Sequence, residues 1–311
     1  MPEIDVSDLS VQYRTSHGDV HALEGVEFRL EESESIGIAG ESACGKSTLG
    51  LSIIRMVQGG NLVSGKIMFN GQSLLDMPDS KFDKNIRWKE ISMVFQGAMN
   101  SLDPVFTIRQ QFDEILKQHK FTGDSNKIIR DAVRSVNLDP SVLKKYPHEL
   151  SGGMKQRVII AMALLLKPKF VIADEPTTAL DVLIQAQIIN LLKNLKKKGM
   201  SIMLISHDLA ILSEVAEKIG IMYGGKMVEF GTASEIYRNP KHPYTQGLLD
   251  SIPTLHKEKK LRFIPGKPPD LVSPEPGCRF FDRCPEAMEK CKTKPPKIKT
   301  DTGYVLCWLY E

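Results

Sequence analysis

A lysine in a glycine-rich loop and two acids at a strand end are the residues of this chain best suited to chemistry. Gly40-Glu41-Ser42-Ala43-Cys44-Gly45-Lys46-Ser47 fits G-x-x-x-x-G-K-[ST], with a short apolar run before it, Ser35–Ala39, and a helical pattern after it from Thr48. In that context backbone N–H groups face a phosphate, and the dipole of the following helix favours negative charge. Lys46 is expected to reach β- and γ-phosphate oxygens, and the Ser47 hydroxyl to ligate Mg²⁺. Phe170-Val171-Ile172-Ala173-Asp174-Glu175 delivers two carboxylates at the C-terminal edge of an apolar strand, where α/β sheets place ligands. Asp174 is suited to hold Mg²⁺, directly or through water, and Glu175 to polarise an attacking water. Alone, the two acids would serve equally well as a helix N-cap. Beside the glycine loop they read as catalytic.

Leu150-Ser151-Gly152-Gly153-Met154-Lys155-Gln156-Arg157 places a serine and two glycines at a helix start. That arrangement makes a second anion-binding nest, although a capped helix with a flexible entry would also use it. If position 43 needs φ > 0, Ala43 costs roughly 1 kcal/mol where glycine would not. Cys44, beside the phosphates, is a candidate thiol for alkylation, or a plain loop residue. Four further cysteines, Cys278, Cys284, Cys291 and Cys307, crowd the last tenth of the chain at C-x5-C-x6-C-x15-C spacing. Zinc ribbons favour C-x2-C pairs, so this spacing suits zinc poorly. Four thiolates on an irregular loop suit a 4Fe-4S cluster, with Zn²⁺, reduced thiols and disulfides as alternatives.

Several elements must position these groups. Residues 2–35 alternate apolar and polar positions around a turn at Ser16-His17-Gly18-Asp19, which predicts antiparallel strands. Leu49, Ile53, Ile54 and Val57 predict a helix after the loop, and residues 61–96 return to strand-like patterning. From about 107 to 165 the pattern is helical. Phe170–Ala173 and Ser201–Ile205 read as strands buried on both faces, with a crossover helix over Val182–Lys198. His256–Arg262 is charged and Pro265–Pro276 holds five prolines, which places a domain boundary near residue 255.

The 311 residues suffice for one large α/β domain with an appendage. A net charge of +3, dispersed along the chain, argues against nucleic acid as a partner. No run of about 18 apolar residues exists to span a bilayer. The N-terminal MPEIDVSDLS lacks the pattern of a secretory signal, so the expected location is cytosolic.

With Leu150–Arg157 the chain resembles the ABC ATPase family, whose signature LSGGxxQR it matches at every position. The resemblance implies a P-loop NTPase (RecA-like) core with an antiparallel β-subdomain, and a helical subdomain at about 100–165. Residues 1–255 would be the ATPase domain, and 256–311 a Cys-containing extension. Gln96 then matches the loop glutamine that senses Mg²⁺ and contacts membrane subunits. Ala179-Leu180-Asp181 matches the loop bridging two nucleotide domains, His207 the switch histidine at the γ-phosphate, and Tyr13 the aromatic on which adenine stacks. Ser151, Gly152 and Gly153 would close over ATP held by residues 40–48 of a second chain. Phe95–Pro104, Asn239-Pro240-Lys241-His242-Pro243-Tyr244-Thr245 and the tail segments Gly277–Phe280 and Arg283-Cys284-Pro285 are similar to the oligopeptide/dipeptide importer ATPases. Those imply peptide import, or import of nickel or another small solute, at the cytoplasmic face of the membrane. The implied partners are two permease subunits, a second identical or homologous ATPase and, indirectly, an external binding protein. A soluble ABC ATPase outside transport is the remaining alternative.

Overall fold

The protein is described here by a computed structural model covering residues 3–251 and 263–311. The chain divides into two compact units, Met1–Asp76 with Ile205–Glu311, and Met77–Leu204. The boundary expected near residue 255 lies outside the described residues. The described tail, 263–311, belongs to the first unit and does not form a separate body.

The first unit opens with strands β1 (Ile4–Thr15) and β2 (Gly18–Leu30), paired antiparallel from Ile4↔Leu30 to Thr15↔Gly18. The period-two pattern drives this pairing: Ile4, Val6, Leu9 and Val11 of β1 are all buried, as are Leu23, Val26, Phe28 and Leu30 of β2. Strand β3 (Ile36–Ala39), buried throughout, runs into the glycine loop and helix α1 (Lys46–Ile53). Strands β4 (Gly60–Phe69) and β5 (Gln72–Ser73) complete an antiparallel sheet of order β2-β1-β4-β5.

Helix α1 is shorter than its pattern suggested. Arg55 adopts φ 55°, which ends the helix and leaves Val57 outside it.

The second unit contains α2 (Asp79–Asn85), β6 (Ile91–Val94), α3 (Ile108–Gln118), α4 (Ser125–Ser135), α5 (Gly152–Ala163), β7 (Phe170–Asp174), α6 (Val182–Lys197) and β8 (Ser201–Ile205), whose last residue joins the first unit. Its strands run in the order β8-β7-β6, with β6 and β7 parallel. Helices α3 and α4 start where the sequence supplies caps. Thr107 and Gln110 form a capping box, and the Asp124 side chain accepts from the Lys127 amide. Ile108, Phe112 and Leu116 of α3, with Ile129, Ala132 and Val133 of α4, turn inward at helix spacing. Helix α2 interrupts a stretch expected to be strand-like. Phe82 is its one buried residue, so the segment carries no helical period to read.

The chain then returns to the first unit with α7 (Leu209–Val215), β9 (Lys218–Tyr223), β10 (Lys226–Thr232), α8 (Ala233–Arg238), α9 (Pro243–Asp250), β11 (Lys297–Lys299) and β12 (Tyr304–Leu306). These strands form a mixed array of order β11-β12-β10-β9-β3, in which only β3 and β9 pair in parallel. The tail therefore contributes two strands of its own, paired through Glu229↔Val305 and Phe230↔Tyr304. The proline-rich segment is tied down as well: the His21 amide donates to Leu271 O at 2.9 Å.

Candidate functional site

The glycine loop leaves β3 in a conformation that only its own residues tolerate. Gly40 has φ 151°, and a Cβ there would stand 2.1 Å from the Met222 carbonyl oxygen. At Gly45, with φ 102°, a Cβ would lie 2.4 Å from Ala22 O. Both positions need glycine. Ala43 does adopt φ 60°, so the condition set by the sequence is met and the loop carries about 1 kcal/mol of strain there. The Lys46 ammonium is folded back over the loop, donating to Gly40 O and Glu41 O, both at 2.8 Å. Ser42 and Ala43 are exposed, while Ser47 and Thr48 are half-buried at the start of α1. The loop rests on the β9–β10 turn through Gly225 N–H to Cys44 O, 3.1 Å.

Cys44 is a poor nucleophile. It is buried, and burial raises its thiol pKa more than the nearby Lys46 lowers it. Of the two readings of Cys44, a raised thiol pKa favours the plain loop residue, because the thiolate is the reactive form. The half-buried Tyr13 has its hydroxyl 3.4 Å from Thr48 Oγ1, and a Cβ at Gly60 would strike its ring. His207 is exposed, in a segment held to β3 by Ser206 N–H to Ile38 O at 3.1 Å.

In the second unit, Asp174 is buried at the end of β7, and Glu175 follows half-buried with φ 50°. A left-handed glutamate costs on the order of 1–3 kcal/mol, and such strain is characteristic of working sites. Thr178 Oγ1 donates to the Glu175 carboxylate at 2.6 Å, which fixes its direction. Gln96 is exposed just after β6. Ser151 is the N-cap of α5, its Oγ accepting from the Met154 amide at 3.3 Å. The serine and Gly152 are exposed, so the first amides of α5 open to solvent. Gly153 has a packing reason for its identity: a Cβ there would stand 2.7 Å from Ile184 Cγ2. Asp181 caps α6 by accepting from Ile184 N–H at 3.0 Å. A Cβ at Gly152 would lie 3.7 Å from Met99 Sδ and 3.8 Å from Leu180, so the segments carrying Gln96, Ser151 and Asp181 meet.

The four tail cysteines converge. All four line one small cavity beside His242, Phe281 and Trp308, and none is in a disulfide. The Cys278 amide donates to Cys291 O at 2.8 Å, drawing two of them together. Burial pushes the Cys284 thiol up to about 11, helped by the neighbouring Cys278, Cys307 and Cys291. Among the described residues, however, no three His, Cys, Asp or Glu side chains are arranged to hold a metal ion. This geometry supports neither the 4Fe-4S cluster nor the zinc alternative.

The sequence missed the contacts that join tail and loop. Arg283 pairs with Glu41, the second residue of the loop, and the Tyr244 hydroxyl accepts from the Glu41 amide at 2.9 Å. Tyr244 is placed by His242, which caps α9 and accepts from the Tyr244 amide through Nδ1 at 3.0 Å. The available signals were His242-Pro243-Tyr244 and Arg283-Cys284-Pro285, legible as group markers but without a role.

A strained glycine loop with a folded-back lysine, paired acids ending a buried strand and a capped Ser-Gly-Gly helix start define a P-loop nucleotide hydrolase. The sequence pattern of the ABC transporter family matches residues 23–178, and that of the oligopeptide/dipeptide transporter C-terminal region matches 228–291. The dipeptide transport ATP-binding protein DppD of Caldanaerobacter subterraneus subsp. tengcongensis is 43% identical, the alignment covering 99% of this chain and 97% of that protein. The oligopeptide transport ATP-binding protein OppD of Escherichia coli K12 is 41% identical over 94% of this chain and 88% of its own length. Among solved structures, the ATP-binding cassette MJ0796, a dimer in a post-hydrolysis state bound to ADP and Pi, superposes with TM-score 0.66. It is 26% identical, and the match covers 74% of this chain and 98% of that one. The chain belongs to the ABC transporter family and is an ATPase with the α/β P-loop NTPase fold. No helix among the described residues is long and apolar enough to cross a membrane.

Proposed function

We propose that this chain is the ATP-hydrolysing motor of a membrane importer for di- or oligopeptides, peripheral to the cytoplasmic face and paired with a second ATPase. The observation that carries the reading is the full-length similarity to dipeptide and oligopeptide transport ATP-binding proteins, tail included. In this reading Lys46 and the loop amides bind the phosphates, with Tyr13 against the base. Ser47, Gln96 and Asp174 offer the oxygen donors that Mg²⁺ prefers. Glu175, aimed by Thr178, polarises the attacking water, and His207 contacts the γ-phosphate. Ser151, Gly152 and Gly153 act in trans on ATP held by a second chain, with Asp181 bridging the two. Phe95, Val105 and Phe106 stay exposed on the Gln96 segment, which suits docking of an apolar permease surface.

Glu175→Gln should bind ATP and hydrolyse it at least tenfold more slowly. Undiminished turnover would remove Glu175 from its role. Reconstituted with its permeases and binding protein, the wild-type chain should hydrolyse ATP faster when peptide is supplied. Stimulation by nickel and not by peptide would move the cargo to a metal ion.

For the tail cysteines we propose a 4Fe-4S cluster as the ligand. Four soft thiols line one cavity, and thiolates are the donor type such a cluster takes. Bound there, it would pin positions 278, 284, 291 and 307 of a segment with little apolar core. Anaerobically purified protein should be brown and contain iron; a colourless, iron-free sample would favour zinc or free thiols.

A further inference from the structure

We propose that Arg283 is a positioning residue for the phosphate loop, holding Glu41 in place and cancelling its charge so that the loop can accept a polyanion. The inference rests on the reading of Gly40–Ser47 as the phosphate site. Its starting point is an anomaly. A loop that must surround phosphates carries a carboxylate at its second position, and the loop itself offers that acid no cation: Lys46 binds backbone carbonyls.

The tail supplies the cation. Arg283 Nη1 donates to Glu41 Oε2 at 2.8 Å and Nη2 to Oε1 at 2.9 Å, a parallel fork with two oxygens. The remaining donors are also placed. Nε donates to Pro265 O at 2.7 Å, Nη1 also to the Tyr223 hydroxyl at 3.1 Å, and Nη2 also to Ile264 O at 3.5 Å. The side chain is 6% exposed, and its Cζ lies 5.6 Å from the Tyr223 ring centre and 6.0 Å from that of Phe280. Nothing about it is adaptable. Glu41 is fixed at three points: its carboxylate by Arg283, its amide by Tyr244, its carbonyl by Lys46. The arginine's neighbour in sequence is Cys284, so the segment that holds the cysteines also holds the loop.

Two consequences follow. A loop pre-set by its anchor loses less freedom when ATP binds. An uncompensated Glu41 would repel the incoming phosphates, and that repulsion would be screened by salt. Arg283→Gln should therefore weaken ATP binding about tenfold at low salt, with kcat changed much less than KM, and the deficit should shrink as salt is raised. Glu41→Gln removes clamp and charge together and should weaken binding less. Combined with Arg283→Gln, it should restore affinity to the level of Glu41→Gln alone. The measurement is equilibrium titration of the full chain with a fluorescent ATP analogue, with steady-state ATP turnover alongside.

Wild-type affinity in Arg283→Gln, or a double variant no better than Arg283→Gln, overturns the proposal. Should that variant not fold, Arg283→Lys keeps the charge without the fork. It should bind less tightly than wild type because the fork is lost, but with a deficit that salt does not change; a deficit that shrinks as salt is raised would refute the electrostatic argument. If the wild-type chain itself fails to bind ATP, the phosphate-site reading falls and takes this proposal with it, whereas loss confined to the variants tests the coupling alone.

Discussion

Gly153 separates two explanations for the second glycine of the Ser-Gly-Gly segment: exposure of backbone to a ligand, or packing against α6. The structure favours packing. A Cβ at Gly153 would stand 2.7 Å from Ile184 Cγ2, 3.2 Å from Cδ1 and 3.4 Å from Cγ1. The closest of these atoms is on the branch at Cβ, and a β-branched residue in a helix has one strongly preferred χ1, so it cannot swing aside. Gly153→Ala must then separate the start of α5 from α6 by close to 1 Å, or force Ile184 off its rotamer. Overpacking of this kind costs about 1–3 kcal/mol. Alanine returns up to about 0.9 kcal/mol through helix propensity, leaving a net loss near 1 kcal/mol. For a chain of this size that lowers the thermal midpoint by about 2 °C. The compensating change is Ile184→Leu, which removes the methyl at Cβ and keeps the volume. Calorimetry on the four proteins of this cycle should show Gly153→Ala destabilised and the double variant restored to within about 0.5 kcal/mol of Ile184→Leu. A stabilised Gly153→Ala, or strictly additive losses, would refute the packing argument. Turnover adds a second reading. If the double variant recovers stability but not ATP hydrolysis, the bare backbone at 153 has a role beyond fitting Ile184.

Ala43→Gly should relieve about 1 kcal/mol of left-handed strain and return part of it as unfolded-chain entropy, for a net gain near 0.5 kcal/mol. Chemical denaturation should show a slightly higher midpoint, and a lower one would mean that Ala43 is not strained. His242 gives the pH dependence. Complete burial depresses its pKa from 6.5 to about 3, so the folded state requires the neutral ring. A depressed folded pKa means that this contribution is full above pH 6.5 and is lost as pH falls toward 3. Urea midpoints should therefore drop between pH 7.5 and pH 5. His242→Asn, whose side-chain oxygen can still accept from the Tyr244 amide, should flatten that drop, and an unchanged pH slope would remove His242 as its source.

What the sequence disclosed, it disclosed where chemistry dictates residue identity over a few positions. Gly40 and Gly45 are glycine because carbonyl oxygens lie where their side chains would be, and Lys46 and Ser47 follow at fixed offsets. The β1–β2 hairpin was legible through its alternation, and α3 and α4 through helical spacing. Helix α2, with one inward residue, had no period to betray it. Strands β11 and β12 are three residues each, too short for alternation to register. The convergence of the cysteines was expected, but whether they close on an ion depends on distances that spacing does not fix.

The contact between Glu41 and Arg283 was illegible for a different reason. The two residues are 242 positions apart, and each is individually unremarkable: a variable residue in a loop motif and an arginine beside a cysteine. Pattern reading assigned Glu41 to ATP by membership of the loop, yet a carboxylate is the wrong charge to face phosphates. The misfit was itself the clue. An acid tolerated inside an anion site implies a cation held against it, and the loop's own lysine is committed to Gly40 O and Glu41 O. That cation had to come from elsewhere in the chain. The tail supplies it through a side chain whose every donor is engaged, which makes the cysteine-bearing extension part of the apparatus that shapes the phosphate loop.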